Sequence, residues 1–487
     1  MNDYSKKMSK ILVVYIALPI VIFLLGWIKP LISIPATAVV IYCLYNILKD
    51  KDMLLNTVNI TKRDFEILTL AFLIILFWVY FSGIGRFVFQ NDDHVYRNAI
   101  FEMLVNNEWP IIKTFAYEGL DTPFMFVYYI GFWLPAALVG KVLGITAGYY
   151  FQAVWATIGI WLFYYLVCCY LDKISLLPLI VFVFFSGLDA VGCAIFNEAY
   201  TTIIGTEHLE WWMSGMQFSS FTTQLFWVFN QAIPAWILTL TVLMQRKSNY
   251  IVFLLGSSLI FCPFPFVGVL PFVAYVIIRD YTQDKNIKRV LLDIFSKENI
   301  LGGGITGLIT FFYLKTNSSG QHLIFMPGEV NYKYGFLFCL IFFVFIEIGV
   351  YVISIYKYQR KNPLLYIALL FLCTCPLIQI GYGVDYCMRV CIPAQVVIFI
   401  LVVDTIYQAK MKKDLVVCAT ICVILAIGAV TPIHEINRTV KNTVSNTFTS
   451  DSIYTSTLSE EELMMGSMGN NFRGEIESSF FYMYLAR

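Results

Sequence analysis

Charge is what this chain has least of. Only 13% of its 487 residues are Asp, Glu, Lys or Arg, against about 25% in an average soluble chain. There is no basic block, and the net charge is +1. That excludes nucleic acid, or any polyanion held by charge, as a partner. No glycine-rich phosphate loop follows a strand. Gly302-Gly303-Gly304 opens an apolar run and reads as close helix packing. A nucleotide-binding domain, and with it a cytoplasmic nucleotide donor, is therefore not expected. The 12 cysteines lack a metal pattern. Neither Cys373-Thr374-Cys375 nor Cys387 with Cys391 has the histidine or second cysteine pair that completes a site, so they read as small apolar packing residues. No small-residue cleavage site follows the first apolar run, since Trp27-Ile28-Lys29-Pro30 leads straight into another. We read an uncleaved first span.

What fills the chain instead is apolar: 59% of residues are hydrophobic and the mean hydropathy is +0.73. The excess runs along almost the whole length, as in a polytopic, all-α membrane protein. Runs at 11–28, 31–48, 66–84, 148–171, 175–192, 222–243, 250–262, 265–278, 300–314, 335–356, 363–380, 390–408 and 414–430 predict about thirteen crossings by the length a bilayer demands. The pair at 250–262 and 265–278 reads as a short hairpin or one broken helix. With the N-terminus in the cytoplasm, 21 of the 33 Lys and Arg fall in short inside segments, as the positive-inside rule requires. The apolar stretch Thr122–Leu143 must then stay on the outer side, in plane or re-entrant, broken by Pro123, Gly131, Pro135 and Gly140. The reading is a transmembrane unit over 1–430 with a large first outer loop at 85–147, and an outer tail or small cap over 431–487. The whole sits in a plasma (inner) membrane, with the C-terminus outside.

Two adjacent carboxylates, Asp92 and Asp93, stand just past the third span. Asn91 or Asp92 suits the N-cap of a helix running through Leu104. Val95, Ala99, Ile100, Met103 and Leu104 share one face of that helix, and His94, Arg97, Asn98, Phe101 and Glu102 the other. Such a helix can lie at the lipid–water boundary, apolar side down. Read from spacing alone, the acids either cap the helix and face water or serve chemistry.

The run from Asp92-Asp93-His94-Val95-Tyr96 through Phe101-Glu102-Met103-Leu104 to Glu108-Trp109-Pro110 resembles the first-loop signature of C-type (GT-C) glycosyltransferases: an acidic pair, a tyrosine-bearing juxtamembrane helix ending in Glu-Met-Leu, then Trp and Pro. Pro123 to Gly144 resembles the second in-plane helix of that superfamily. Asp92 takes the position of the family's base, and Asp93 replaces the commoner Glu. The specific match covers the first third of the chain. Ser186-Gly187-Leu188-Asp189, Asp385-Tyr386-Cys387-Met388-Arg389 and the closing Tyr482-Met483-Tyr484-Leu485-Ala486-Arg487 are similar to bacterial membrane proteins of unknown activity. The resemblance implies a sugar carried on a polyprenyl phosphate, moved with inversion to an acceptor on the outer face. The acceptor would be a cell-envelope glycan, teichoic acid or protein. Such a site needs a carboxylate to take the acceptor proton and cations to hold the departing phosphate.

Arg389 begins an apolar run, where an arginine facing lipid is costly, and is the preferred phosphate ligand. Its neighbour four residues back, Asp385, reads either as its i,i+4 partner or as a residue that positions acceptor or donor. Arg97 is a second candidate, and Lys113, His322, His434 and Arg438 are further ones. Glu207, His208 and Glu210 offer two readings, a divalent cation (Mg or Mn) or the positioning of acceptor or donor. Gln217, Gln224, Asn230 and Gln231 suit either sugar hydroxyls or helix-to-helix hydrogen bonds. Two rival classes remain, a transporter or flippase of lipid-linked glycans and a non-catalytic GT-C-like protein.

Overall fold

A computed structural model describes residues 2–50, 53, 58, 60–196, 208–317, 323–326, 334–381, 383–449 and 457–487. In chain order, α1 (Asn2–Trp27), α2 (Pro30–Lys49) and α3 (Lys62–Phe81) precede a loop holding α4 (Asp93–Asn106), the hairpin β1 (Ile112–Tyr117) and β2 (Leu120–Phe126), and α5 (Leu134–Leu143). There follow α6 (Ile145–Tyr170), α7 (Leu177–Phe184), α8 (Asp189–Phe196), α9 (Phe221–Leu243), α10 (Ile251–Ser258), α11 (Pro263–Asp284) and α12 (Ile287–Ile294). Next come α13 (Gly304–Lys315), β3 (Leu323–Phe325), α14 (Phe336–Val344), α15 (Val350–Gln359), α16 (Pro363–Thr374) and β4 (Ile378–Ile380). The chain closes with α17 (Asp385–Val390), α18 (Ile392–Met411), α19 (Leu415–Gly428), α20 (Val430–Thr449), α21 (Glu460–Met465) and β5 (Arg473–Glu475).

This is a mostly helical, multi-pass membrane protein. Among the described residues, 10 helical segments are long and apolar enough to cross a bilayer: α1, α2, α3, α6, α7–α8, α9, α11, α14–α15, α18 and α19–α20. The other three expected crossings fold as shorter pieces. Residues 250–262 give only α10, because Cys262 leaves the helical region and Pro263 starts α11 afresh. Residues 300–314 begin in a π turn, Glu298–Gly303, before α13. Residues 363–380 end α16 early and pass into β4, which pairs with β3. Side-chain caps fix several ends. Thr61 and Asp64 form a capping box at α3, Ser220 caps α9, Asn362 caps α16 and Asp414 caps α19.

The bundle has a centre and a rim. In α9, 94% of the apolar window is buried, against 28% in α3, so α9 is core and α3 presents Phe65, Leu73 and Phe77 outward, as a lipid-facing helix does. The amides of α9 bind helices together. Gln224 donates to Gln395 of α18 at 2.9 Å and accepts from Trp236 at 2.8 Å. All 12 cysteines are free, and Cys193, Cys387 and Cys391, which the sequence places near water, are buried.

Three expectations for the loop side change. Thr122–Leu143 is not one in-plane helix. Its first part is strand β2, Leu120–Phe126, and only Leu134–Leu143 is helical. Nor does α4 lie on lipid with its polar face in water. His94, Arg97 and Asn98 are as buried as Ile100 and Leu104, because Gln90, His94 and Asn98 form one hydrogen-bonded row against the turn after α3. Gln90 Nε2 donates to Gly83 O at 2.8 Å, and Asn98 Nδ2 donates to Gln90 Oε1 at 2.9 Å. Gly83 has φ +85, and a Cβ there would crowd His94. Finally, residues after 431 are not set apart. Helix α20 packs on α9 and α7, and β5 joins β2 as the third strand of a sheet. Arg487 N donates to Trp27 O at 2.8 Å.

Candidate functional site

Asp92 occupies the N-cap position of α4 and is exposed, yet its side chain makes no capping hydrogen bond. Its neighbour Asn91 is spent elsewhere, donating from Nδ2 to Phe226 O at 2.8 Å, where α9 is kinked at Val228. The Asp92 carboxylate is thus left in the open at a fixed helix end.

Asp93 and Arg97 form an i,i+4 pair at 2.9 Å, and Asp385 and Arg389 form another at 2.5 Å. The two pairs share one construction. Each arginine's Nη1 also donates to the backbone carbonyl of its own acid, Arg97 to Asp93 O at 2.9 Å and Arg389 to Asp385 O at 3.0 Å. Each acid is about two-fifths exposed while its arginine side chain is 10% or 9% exposed. Each Nε has no hydrogen-bond partner among the described residues. The acids therefore face outward and the guanidinium groups inward, with one N–H apiece unspent.

Both arginines act on the same feature, the Tyr128–Tyr129 pair in the loop between β2 and α5. The two rings lie 3.7 Å apart between centroids, and the Tyr128 hydroxyl donates to the Tyr129 hydroxyl at 2.5 Å. Burial raises both phenols above their ordinary value, with the charges of Arg97 and Arg389 pulling the other way, so both stay protonated near neutral pH. Arg389 remains charged. Burial opposes its charge, and Asp385 with the two tyrosines more than compensates, raising its pKa. His94, beside Arg97, is pushed down to about 3 by burial and then by the Arg97 charge. It is neutral and contributes packing, its ring 5.8 Å from Phe229. The C-terminal segment reaches the same place, where Phe472 stacks on Tyr96 and touches Tyr128, at 5.9 and 5.0 Å. Two guanidinium groups and two phenols make a donor-rich, positive site, the chemistry that holds a phosphate.

Of the residues proposed from sequence, the fold thus brings Arg97 and Arg389 to one place, each with its acid, while Asp92 stands at the head of the helix carrying Arg97. Tyr128 and Tyr129 escaped the sequence reading; a pair of phenols inside the apolar stretch Thr122–Leu143 was the available signal. Lys113 is committed to Glu460 at 2.5 Å and Arg438 to Glu435 at 2.6 Å. Glu207 and His322 lie outside the described residues.

His208 and Glu210 belong to a different environment. Both are buried, with His208 Nδ1 3.2 Å from Glu435 Oε1 and Nε2 3.8 Å from Glu210 Oε2. Glu210 accepts from Gln217 Nε2 at 2.9 Å and from Ser220 N at 2.8 Å. Neither side chain presents a free polar edge to an acceptor sugar, and no group of three or more His, Cys, Asp or Glu with metal-holding geometry exists among the described residues. Burial pushes the Glu210 carboxyl up to about 7 against the His208 charge. For His208, burial alone would lower the value, but the Glu435 hydrogen bond and the charges of Glu210 and Glu435 reverse this and raise it. The two regions meet at α17, where Cys387, lying between Asp385 and Arg389, donates from Sγ to Gln217 O at 3.6 Å. No protein-family model, no curated protein and no solved structure matches the chain.

Proposed function

We propose that the protein is an inverting glycosyltransferase that moves a sugar from a polyprenyl phosphate to a cell-envelope acceptor at the outer face of the membrane. The observation that carries this reading is that the charges of Arg97 and Arg389, each with an unspent Nε–H, both bear on the Tyr128–Tyr129 pair, with Arg97 about one turn along a helix headed by the unspent carboxylate of Asp92. The guanidinium groups and phenols hold the donor phosphate. Asp92 takes the proton from the acceptor hydroxyl as its oxygen bonds the anomeric carbon. The bond from that carbon to the phosphate oxygen breaks, and its electron pair leaves on the phosphate. A phosphate departs without being protonated, so no strong general acid is required. Asp93 and Asp385 hold the arginines in place, and the lipid chain stays in the bilayer.

A second reading, a transporter of lipid-linked glycans, draws on one observation. Helices α7–α8 and α14–α15 are interrupted where buried acids cluster, a construction found where membrane proteins bind ions. Purified protein in lipid nanodiscs, supplied with a panel of polyprenyl-phosphate sugars and candidate acceptors, separates the two. Transfer by the wild type that is lost in Asp92→Asn while donor binding persists supports the enzyme. No transfer with any sugar, or full transfer by the variant, removes it.

A further inference from the structure

A second cluster of ionisable groups lies inside the bundle, and the transferase reading does not use it. Asp189 starts α8, directly after the break Phe185-Ser186-Gly187-Leu188 that follows α7. Glu347 sits in a π turn, Phe345–Gly349, between α14 and α15. Extra-wide helical turns of this kind recur at functional sites, and ionisable side chains inside membrane helices are seldom idle. The break and the turn are stitched together. Leu188 N donates to Ile346 O at 3.3 Å, and the Tyr351 hydroxyl donates to Ser186 O at 2.8 Å. Gly187 is needed here, because a Cβ at that position would collide with Glu347 Oε2.

The two carboxyl groups are 1% and 0% exposed. Asp189 Oδ2 accepts from Ser186 Oγ at 2.7 Å and Thr431 Oγ1 at 2.8 Å. Glu347 Oε1 accepts from Trp212 Nε1 at 2.9 Å, whereas Oε2 meets no donor among the described residues. Gln217, whose Nε2 serves Glu210, likewise leaves Oε1 without a donor. An ionised carboxylate only accepts hydrogen bonds, so two of them buried where the α7–α8 break and the π turn are stitched together, with Glu347 Oε2 against Gly187, have nothing to exchange unless one carries a proton. The described residues around them supply no other compensation. Glu210 adds negative charge, and the positive charges of His208 and Arg438 are taken by Glu435. Tyr351, Cys193 and Cys391, further titratable neighbours among the described residues, donate to Ser186 O, Leu209 O and Gln395 Oε1.

We propose that Asp189 and Glu347 form a proton-binding site, holding one proton between their carboxyl groups, and that its loss loosens the contact between the α7–α8 break and the π turn of α14–α15. The site is independent of sugar transfer. It gives the loop half of the bundle a packing state that depends on proton activity.

The test uses infrared spectroscopy of the full-length protein in nanodiscs between pH 5 and pH 9, read at the carbonyl stretch of protonated carboxylic acids. The expected result is a band present at pH 7, shifted by deuterium exchange, unmoved by sodium chloride at constant pH, and missing from Glu347→Gln and Asp189→Asn. Thermal melting is the second readout. The wild-type Tm should fall as the band disappears on raising the pH. Glu347→Gln, whose amide donates the hydrogen bond that the shared proton provides, should lose this part of the fall, so that Glu347→Gln combined with Glu210→Gln melts with less pH dependence than Glu210→Gln alone. A wild-type spectrum without the band at pH 7, a band unchanged in both variants, or one abolished by sodium at fixed pH would each overturn the proposal. Should either variant not fold, Glu210→Gln decides: a band that persists in it at pH 7 supports the proposal, and one that vanishes with Glu210 overturns it.

Discussion

The two ionic regions of this molecule are built with opposite polarity. At the Tyr128–Tyr129 pair, Asp93 and Asp385 lie toward the surface and the guanidinium groups of Arg97 and Arg389 are buried. Around the α7–α8 break the order is reversed. Asp189, Glu210, Glu347 and Glu435 are buried, and the nearby arginine, Arg438, keeps 17% of its side chain exposed. The first region has N–H donors to spare and calls for an anion. The second has acceptors to spare and calls for protons. The difference teaches that the sign of the buried partner, rather than the number of ion pairs, decides what each place can bind, because burial penalises whichever charge lacks a counterpart.

The sharpest way to break this comparison is at the exposed carboxylate of the first region. Asp92→Asn should lower turnover by about 10²- to 10⁴-fold, the usual contribution of a positioned base. Its melting temperature should be unchanged, since Asp92 caps nothing. A steady-state transfer assay beside a melting curve checks both halves. Next in size, Arg389→Ala should cost about 10²- to 10³-fold in transfer, as loss of one preorganised donor does. Arg389→Lys should recover only part of it, because an ammonium cannot present a planar fork. If the two arginines grip one phosphate, the Arg97→Ala, Arg389→Ala double variant should lose less than the product of the single losses.

In the second region the effects should fall on stability instead. Gly187→Ala forces a methyl group onto Glu347 and should destabilise the fold by about 1–3 kcal/mol, the range for overpacking, read by chemical denaturation. The pH dependence should follow from Glu210, which faces His208 and Asp189 and is held by Gln217 and Ser220. Its carboxyl ordinarily titrates at 4.5 and is raised to about 7 here, by burial above all. A raised value means that the stability it lends is complete below pH 4.5 and is lost as pH rises through about 7. His208, also raised, adds to the loss in the same direction. Glu210→Gln should therefore flatten the fall in Tm over that window, whereas Arg389→Ala should leave its slope alone. Smallest of all, Lys113→Ala removes a half-exposed pair with Glu460 and should change stability by no more than about 1 kcal/mol.

Much of the scaffold was legible because the relevant signals are local. The apolar runs located α2, α3, α6, α9 and α18 to within a few residues, and found the apolar parts of α1 and α11, whose helices extend further into polar residues. The spacing of Asp385 with Arg389 foretold an ion pair that formed as an i,i+4 contact, while the matching Asp93–Arg97 pair went unread beside the Asp92–Asp93 doublet. The N-cap of α4 falls at Asp92, one of the two positions expected. Hydropathy went astray where an apolar run was not a helix. Ile378–Ile380 is a strand whose partner, β3, comes from elsewhere in the chain, and Leu120–Phe126 is a strand paired to its neighbour β1 and, on its other edge, to distant β5. It also misled for α4, whose polar face looked solvated. His94 and Asn98 satisfy one another through Gln90, and a buried polar row leaves the same sequence pattern as a wet one.

By itself, then, the sequence determined that the chain crosses a membrane many times and where Asp92, the Asp385–Arg389 pair and many of the helix ends fall. Those properties depend on neighbours within one or two turns. Only the tertiary structure decided that the charges of both Arg97 and Arg389 bear on Tyr128 and Tyr129, and that Glu347 lies against Gly187, two residues from Asp189. Such contacts depend on which faces of distant helices pack together, and in a chain this apolar almost any face can be buried, so hydrophobic periodicity leaves no trace of the choice.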